Sequence, residues 1–334
     1  MKNLNNILVI RTDRIGDVVL TTPVIKTLRK AYPMARISVL VSPSTKDLVQ
    51  GNPYLDEIIL DDREGAHRGF LGFLRLICDI RRGRFDVAFV YHTKRRYNLA
   101  SFLAGIPHRV GYKNKKFGFL LNHPIKDIRS LGEKHEAQFS MDVLKEVGIE
   151  ASDFDFFIPT NKDAEHWANH WLVSEDLKGE DFIAIHASSS NPQVCWPAQR
   201  FAKLIDSLQK HYSFKIVLIG SPQTTELYGD ILRLTSQKPL NLGGQTSLAQ
   251  TASLLRRCRL LISNDSGPVH LAAALGVPVI AIFVRNQPGV NPERWRPFSD
   301  KGIYLYSPKV VEVQEVLDNV ERIFRKDHQE FFHW

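Results

Sequence analysis

The chain has 334 residues, of which 43% are hydrophobic and 24% are charged, and its formal net charge is +8. This length suggests two domains, and the composition excludes a disordered, collagen-like or coiled-coil protein. Three cysteines, Cys78, Cys195 and Cys258, cannot form a disulfide framework or a four-ligand zinc site, so we expect reduced thiols in a cytosolic protein.

Short β-branched runs alternate with stretches of helical periodicity through the first half of the chain. The expected strands are residues 6–11, 36–41, 57–60 and 87–91. Apolar residues at helical spacing predict helices at 17–32 and 69–82, and Pro23 is early enough in the first to be tolerated or to bend its first turn. This alternation predicts a parallel sheet covered by helices on both faces.

The second half repeats the alternation. The expected strands are 182–186, 214–219, 260–263 and 277–283, and the expected helices are 197–212, 247–257, 268–275 and 310–326. We therefore predict an α/β protein of two Rossmann-like domains, residues 1–165 and 166–334, joined within a charged, Trp-bearing connection. The sequence leaves open whether the last helix and its aromatic tail pack back on the N-terminal domain or stay loose.

No segment predicts a membrane span or a signal peptide. The longest nearly apolar stretch, residues 272–284, has about 13 residues, whereas a transmembrane helix needs about 20. The N-terminus runs directly into a predicted strand, so we expect no leader. Residues 87–126, in contrast, contain eight Lys or Arg and no acidic residue, which predicts an anionic partner.

In a parallel α/β sheet, ligands bind beyond the carboxyl ends of the strands, near the N-termini of the following helices. The first such loop is residues 11–17, where two carboxylates and two guanidiniums surround Gly16. A plainer interpretation makes Asp17 a helix cap and Arg14 a solvated side chain. The dinucleotide fingerprint Gly-x-Gly-x-x-Gly is absent, which disfavours a nicotinamide-dependent enzyme.

Residues 262–278 form the most informative segment. A buried strand ends in the capping residues Asn-Asp-Ser, and the first turn of the Ala-rich helix that follows contains Gly267, Pro268 and His270. Backbone N–H groups, the helix dipole and an imidazole would together hold a diphosphate without a metal. The alternative is an ordinary capped helix with a partly buried His.

Weaker signals follow other predicted strands. The hydroxyls of Ser188, Ser189 and Ser190 can donate to phosphate oxygens. Gly-containing turns at 220–223 and 243–247 allow a flat base or ribose to lie against the backbone. Each of these patterns is also typical of ordinary loops.

Two of these segments resemble glycosyltransferase family 9, the ADP-heptose:lipopolysaccharide heptosyltransferases. Residues 10–23, IRTDRIGDVVLTTP, are similar to the opening of that family, and residues 264–278, NDSGPVHLAAALGVP, to its most distinctive segment. The KHE at 134–136 and the pair Trp196–Pro197 also fit. The resemblance implies a GT-B architecture, with an acceptor-side N-terminal domain facing a nucleotide-sugar-binding C-terminal domain across a cleft. It also implies an inverting, metal-independent transfer of a sugar from a nucleotide diphosphate.

The resemblance further implies roles for individual residues. Asp17 matches the position of the catalytic base, and we keep Asp13 as the reserve candidate. The donor is expected to be ADP-heptose. The positions that hold it match Ser188, Ser189, Asp265, Ser266, Gly267 and His270, with Thr246 near the place where the base would rest.

The sequence departs from the family at the donor site. The family usually has a Lys or Arg shortly before the Trp of Trp-Pro, whereas residues 192–195 contain no cation. We hypothesise that Arg285 supplies the charge that is missing near Trp196. The alternative is that Arg285 is a surface residue and the donor site is degraded.

Cations of the first half are expected to bind the acceptor, an anionic glycolipid such as a lipopolysaccharide core, or the anionic inner-membrane surface. The candidates are Arg11, Arg14, Lys94, Arg95, Arg96 and Lys115. A solvated basic face is the alternative. Nucleic acid is not an expected partner, because no recognition motif accompanies the charge. We expect a cytoplasmic enzyme that works at the inner face of the inner membrane.

No cofactor or metal is expected besides the nucleotide sugar. Asp153 and Asp155 form an Asp-x-Asp motif, but it lies in the inter-domain connection rather than after a buried strand. His92 and His108 are expected at the surface. Two other functions stay open: a GT-B enzyme with another donor or reaction, such as hexosyl transfer or epimerisation, and a non-catalytic relative that binds a partner.

Overall fold

The computed structural model describes residues 4–150, 153–177, 181–191, 195–212 and 214–330, with side chains described up to residue 325. The chain divides into two compact units, Met1–Pro159 and Thr160–Trp334. The stretch that the sequence suggested as a connection contains a helix of the second unit. The aromatic tail at 331–334 lies outside the described residues.

The first unit is built on a six-stranded sheet in the order β3-β2-β1-β4-β5-β6, with all strand pairs parallel. Its strands are β1 (Asn6–Ile10), β2 (Arg36–Val41), β3 (Glu57–Leu60), β4 (Val87–Val90), β5 (His108–Lys113) and β6 (His123–Lys126). Its α-helices are α1 (Ile15–Val19), α2 (Thr22–Ala31), α3 (Gly69–Arg82), α4 (Arg95–Leu103) and α5 (Glu136–Lys145).

The single helix expected at 17–32 is two helices, α1 and α2. The break falls at Leu20 and Thr21, and Pro23 lies in the first turn of α2. Proline has no N–H to donate, so it is tolerated in a first turn but not in the middle of a helix. The proline therefore begins a new helix instead of bending the first one.

The second unit has a six-stranded sheet in the order β12-β11-β10-β7-β8-β9, again with parallel pairs. Its strands are β7 (Phe182–His186), β8 (Lys215–Gly220), β9 (Leu240–Gly243), β10 (Leu260–Asn264), β11 (Val279–Phe283) and β12 (Gly302–Tyr306). Its α-helices are α6 (Lys162–Ser174), α7 (Ala198–Tyr212), α8 (Thr225–Leu234), α9 (Leu248–Leu255), α10 (Gly267–Ala274), α11 (Pro292–Trp295) and α12 (Val313–Glu330).

The last helix, α12, contributes to the core of the second unit. Its Val316 and Val320 are fully buried in the same apolar cluster as Phe201 of α7. Phe324 stacks on Phe214, with ring centroids 4.8 Å apart. These contacts lie in the second unit; packing of the last helix on the N-terminal domain remains a prediction.

The α/β class with two parallel, Rossmann-like sheets is confirmed. Strands that are buried along almost their whole length, such as β1, β7 and β10, occupy the middle of their sheets, where both faces are covered. Because all strands of a sheet run the same way, the loops that follow them meet at one carboxyl edge. That edge carries the candidate residues in each unit.

Candidate active site

The candidate site of the first unit begins where its central strand β1 ends. Arg11 follows this strand, and only 2% of its side chain is exposed. Its Nη2 lies 2.5 Å from Oδ1 of Asp17 and 3.0 Å from Oε1 of Glu136, and its Nη1 donates to the carbonyl of Tyr91 over 3.2 Å. These contacts with protein groups fix the carboxylate of Asp17, and the expected contact of Arg11 with an acceptor stays a prediction.

Asp17 lies in the first turn of α1, but it is not the helix cap. The N-cap residue is Arg14, and its side chain makes no capping hydrogen bond. The Asp17 side chain is 19% exposed, so a substrate can reach it. The reserve candidate, Asp13, places Oδ2 3.3 Å from Nε of the same Arg11. One buried guanidinium therefore contacts both candidate bases.

Glu136, which was not among the predicted site residues, reaches Arg11 from the start of α5. His135 caps this helix by accepting from the N–H of Ala137, and the Gln138 side chain accepts from the N–H of His135. This reciprocal capping box fixes the first turn and so fixes the Glu136 side chain. Arg129 also approaches Glu136, with Nη1 at 3.8 Å from Oε1.

The surroundings of the two candidate bases shift their pKa values in opposite directions. Burial raises the pKa of Asp17, and the negative charges of Asp13 and Glu136 raise it further against the attraction of Arg11. Burial also acts to raise the pKa of Asp13, but Arg11 and His92 outweigh it and the pKa is lowered. A group with a raised pKa is the better proton acceptor near neutral pH, so the electrostatics favour Asp17 as the base.

The expectation that His92 lies at the surface was wrong. Its side chain is buried, with Nδ1 2.5 Å from Oδ1 of Asp13 and 2.8 Å from Oγ1 of Thr12. Its ring packs on Tyr97, with centroids 4.8 Å apart. The ring is enclosed because the loop after β4 folds over the neighbouring loop after β1. His108 is partly buried and faces His123 at 3.2 Å.

The cations expected on the acceptor side fall into two groups. Arg96 forms a two-point ion pair with the buried Asp61, at 2.9 and 3.0 Å, and also donates to the carbonyl of His67. It therefore joins α4 to the end of β3. The exposed side chains in the predicted set are Arg14, Lys94, Arg95 and Lys115.

Positive charge accumulates around Lys94, the N-cap residue of α4. Burial and the charges of Arg63, Lys116 and Arg14 lower the pKa of Lys94, against the attraction of Asp13. A lysine whose neighbours disfavour its own charge marks a place where the positive potential is high. The structure thus gathers cations from several loops beside the loop that carries Asp13.

In the second unit, the residues expected to hold the donor follow successive strands of the sheet. Arg285 follows β11, Asp265 and Ser266 follow β10, and Ser188 and Ser189 follow β7. Thr246 follows β9 at the edge of the sheet; it is half-buried and its Oγ1 lies 2.9 Å from Oγ1 of Thr251. The parallel topology therefore brings all of them to one edge.

A buried histidine anchors the turn into α10. Oγ of Ser266 lies 3.0 Å from Nδ1 of His186 and 2.9 Å from Oγ of Ser263. Burial lowers the pKa of His186 to about 4, so this ring is neutral at physiological pH. A neutral ring with hydroxyl partners holds the Ser266 turn without adding charge.

The N-terminus of α10 opens at this turn, as predicted. Gly267 and Pro268 begin the helix, and His270 is 3% exposed, with its ring centroid 6.0 Å from that of Trp295. His270 is therefore a largely buried residue of the first turn. Arg285 is half-buried and its Nη2 lies 3.5 Å from Oδ2 of Asp265. This contact places a cation beside the helix N-terminus; residues 192–194 of the suspected gap lie outside the described residues.

Asn264, which was not predicted as a site residue, is a further link in this site. Its side chain is 1% exposed, accepts from the N–H of Trp196 over 2.9 Å and donates to the carbonyl of Ala187 over 2.6 Å. It thereby ties the loop after β7, which carries Ser188, to the end of β10. Its position at the end of a buried strand, next to Asp265, was the available signal.

Among the described residues, no cluster of three or more His, Cys, Asp or Glu side chains has the arrangement of a metal site. The Asp-x-Asp pair is engaged otherwise: Asp153 pairs with Lys30 and Asp155 with Lys26, both on α2. Nor does any described helix combine the length and the apolar character that a membrane crossing requires.

Comparison with known proteins identifies the family of this chain. The sequence model for glycosyltransferase family 9 (heptosyltransferase) matches residues 73–316. The chain belongs to glycosyltransferase family 9. Over 302 residues it is 28% identical to lipopolysaccharide heptosyltransferase 2 of Escherichia coli K12, covering 86% of this chain and 84% of that one. The protein is therefore a glycosyltransferase of the heptosyltransferase family.

Solved structures of this family share the fold. A family 9 glycosyltransferase from Veillonella parvula aligns with a TM-score of 0.87 at 25% identity, covering 96% of this chain and 97% of that one. The ADP-heptose lipopolysaccharide heptosyltransferase II of E. coli aligns with a TM-score of 0.80 at 22% identity, covering 97% and 99%. The expected GT-B fold class is confirmed by this likeness.

Proposed function

We propose that this family 9 enzyme transfers a heptose from ADP-heptose to a hydroxyl group of a lipopolysaccharide core or a similar glycan, with inversion and without a metal ion. The names of the E. coli relatives support the donor and acceptor classes, since they include ADP-heptose and lipopolysaccharide. The observation that carries the mechanism is the carboxylate of Asp17, held at the carboxyl edge of the first sheet by a buried arginine.

The reaction is a single displacement at the anomeric carbon. The acceptor oxygen forms its bond to that carbon while the bond from the carbon to the diphosphate oxygen breaks, and ADP leaves with the electron pair. Asp17 takes the proton of the attacking hydroxyl. Its raised pKa suits this task, and Arg11 on Oδ1 keeps the carboxylate in one orientation.

Fixed groups of the second unit stabilise the negative charge that develops on the departing diphosphate. The N-terminus of α10, which begins at Gly267, presents its positive dipole end beside Ser266. Arg285 adds a full positive charge next to this turn. Preorganised donors of this kind stabilise a leaving group without reorganisation during the reaction.

An anionic acceptor suits the cations around Lys94. Arg14, Arg63 and Lys116 act on Lys94 from separate loops, next to Asp13 in the loop of the proposed base. Phosphate or carboxylate groups of a glycolipid would relieve the mutual repulsion of these cations. This supports acceptor binding by Arg14, Lys94, Arg95 and Lys115, while Arg11 and Arg96 serve as positioning residues.

The decisive experiment is Asp17→Asn, assayed for transfer from ADP-heptose and for binding of the donor. Loss of a general base typically lowers the rate by about 10²–10⁴. We expect turnover to fall by that factor while donor affinity and the unfolding temperature change little.

Two matched variants control this experiment. Asp13→Asn removes the reserve carboxylate, whose lowered pKa makes it the weaker base, and should cost less turnover than Asp17→Asn. Asp230→Asn removes an exposed carboxylate of the second unit and should change nothing. Near-normal turnover of Asp17→Asn would contradict the proposal that Asp17 is the base. Transfer only from a GDP- or UDP-sugar would contradict the proposal that ADP-heptose is the donor.

A further inference from the structure

The helix α3 of the first unit has two apolar faces. The inner face, with Leu76 and Ile80, is fully buried in the sheet core. The outer face carries Phe70, Leu71 and Leu74, which are 74%, 78% and 41% exposed. A helix that only covers a sheet normally presents polar side chains to water. Three large apolar side chains within two turns therefore indicate a binding surface.

We propose that this outer face of α3 docks the enzyme on an anionic phospholipid bilayer, with Phe70, Leu71 and Leu74 inserted among the lipid headgroups. The amphipathic pattern is that of an interfacial helix, in which apolar side chains enter the boundary between headgroups and acyl chains.

The charge around this face selects anionic lipid as its occupant. Arg68, Arg75, Arg81 and Arg82 are all exposed on or beside α3. The one acidic residue of the helix, Asp79, is partly buried and paired with Arg82 and His67. Arginine side chains next to inserted apolar groups can reach lipid phosphates, which gives complementarity to a negative leaflet.

The start of α3 is held rigidly at the carboxyl edge of the sheet. Arg96 donates to the carbonyl of His67, and the ring of His67 lies 3.4 Å from the buried Asp61. At Gly72 a Cβ atom would lie 2.3 Å from the backbone of His67, so the helix and this loop are in close contact. Phe70 and Leu71 therefore project from a fixed position.

The same edge carries the proposed catalytic base. Asp61 accepts from the hydroxyl of Tyr97, the Tyr97 ring packs on His92, and His92 contacts Asp13. A membrane bound by α3 would lie near the loop that contains Asp17. The membrane contact goes beyond the proposed function. The benefit of this contact rests on the proposed function, because a lipid-anchored acceptor would be presented at the edge that holds the base.

The test is co-sedimentation of the full chain with vesicles. Wild-type protein should bind phosphatidylglycerol/phosphatidylethanolamine vesicles at least tenfold more strongly than phosphatidylcholine vesicles. The double variant Phe70→Ser/Leu71→Ser should lose at least tenfold in binding to the anionic vesicles. Met34→Ser is the matched control: Met34 is 95% exposed but precedes β2 at the opposite edge of the sheet, so its loss should leave binding unchanged.

A second measurement places the contact. Cys78 is exposed on the same outer face, whereas Cys258 is buried, so a polarity-sensitive fluorophore can be attached to Cys78 in a Cys195→Ser background. Its emission should shift to the blue with anionic vesicles, and not in the double variant. The proposal is overturned if the wild-type protein does not bind anionic vesicles or if the double variant binds them normally. It is also overturned if the only effect of the double variant is to convert an oligomer into monomers.

These outcomes are independent of the reaction. Transfer to a short, detached acceptor should be equal in the wild type and the Phe70→Ser/Leu71→Ser variant, because neither residue contacts the proposed site. Vesicle binding without any transferase activity would leave the membrane surface standing and reject the proposed function instead.

Discussion

Arg11 shows how the tertiary fold supplies partners that the sequence around a residue does not reveal. Its place after a buried strand in the first loop pointed to a ligand contact. In the fold it is buried beneath Asp17, where it meets Glu136 from a helix 125 residues away in the chain. The local sequence reveals that a charge is present in the loop, but it does not reveal a partner that only the tertiary fold supplies.

The charges around Asp17 predict which substitution moves the pH profile of turnover and which does not. Glu136→Gln removes a negative charge that raises the pKa of Asp17, so the acid limb of the turnover–pH profile should move to lower pH. Arg11→Lys keeps the positive charge but cannot reproduce the paired contacts, so it should lower turnover with little displacement of that limb. Steady-state profiles over the acid range measure both effects.

The control for this pair is Glu146→Gln, an exposed carboxylate at the other end of α5, which should leave the profile in place. A purely structural role for Glu136 would lower the unfolding temperature and the plateau rate without moving the acid limb. That result would contradict a role of Glu136 in positioning Asp17.

At the scale of elements, the central strands and the edge strand β3 were predicted, but four strands at or next to the other edges were not. β5, β6, β9 and β12 escaped because they are polar or only partly buried, and β6 even contains Pro124, which is tolerated on an edge strand. Helix α6 was taken for a connection because its buried stripe is narrow: Ala164, Ala168 and Leu172 face the core, four residues apart. Small residues at this spacing give a weak hydrophobic signal in a charged segment.

The junction between β7 and β10 predicts a measurable cost for Asn264→Ala. The substitution leaves the N–H of Trp196 and the carbonyl of Ala187 without their buried partner. Each orphaned group costs about 1–3 kcal/mol, so we expect a loss of about 2–6 kcal/mol in the free energy of unfolding, measured by denaturant titration. Donor affinity should fall as well, because the Ser188 loop loses its tether.

For comparison, Asn319→Ala removes a half-buried asparagine on α12 that donates to one helix carbonyl, and it should cost under about 1 kcal/mol. Equal stability of the two variants would show that Asn264 does not hold the junction.

At the scale of the whole molecule, the sequence predicted the fold class and the sheet edges that carry the candidate residues, because parallel βα topology determines both. The motif at residues 264–278 also located the turn into α10 correctly. What it could not predict is whether a side chain is exposed: His92 was expected in solvent and lies against Asp13, since burial of a polar ring depends on loops from different strands.

The balance of charge in the second unit leads to a prediction about metals. If α10 and Arg285 neutralise the diphosphate, turnover should be the same after dialysis against EDTA as before it. Arg285→Ala should weaken donor binding by about 10- to 100-fold, as expected for a lost hydrogen bond to a charged group. Calorimetric titration of ADP measures this affinity.

Arg233→Ala, an exposed arginine of the same unit, serves as the comparison and should bind ADP normally. Activity that disappears with EDTA and returns with a divalent ion would contradict the metal-free proposal. If Arg285→Ala bound ADP as tightly as the wild type, Arg285 would not supply the charge that is missing near Trp196.

The contact of Arg11 with Glu136 has a consequence for how the protein matures. During synthesis the first strand and its loop leave the ribosome long before residue 136 does. Until α5 docks, the arginine lacks one of its anionic partners and the aspartate is not yet held. The proposed acid–base group is therefore complete only once α5 has docked, and we expect a nascent or partly folded chain to lack activity.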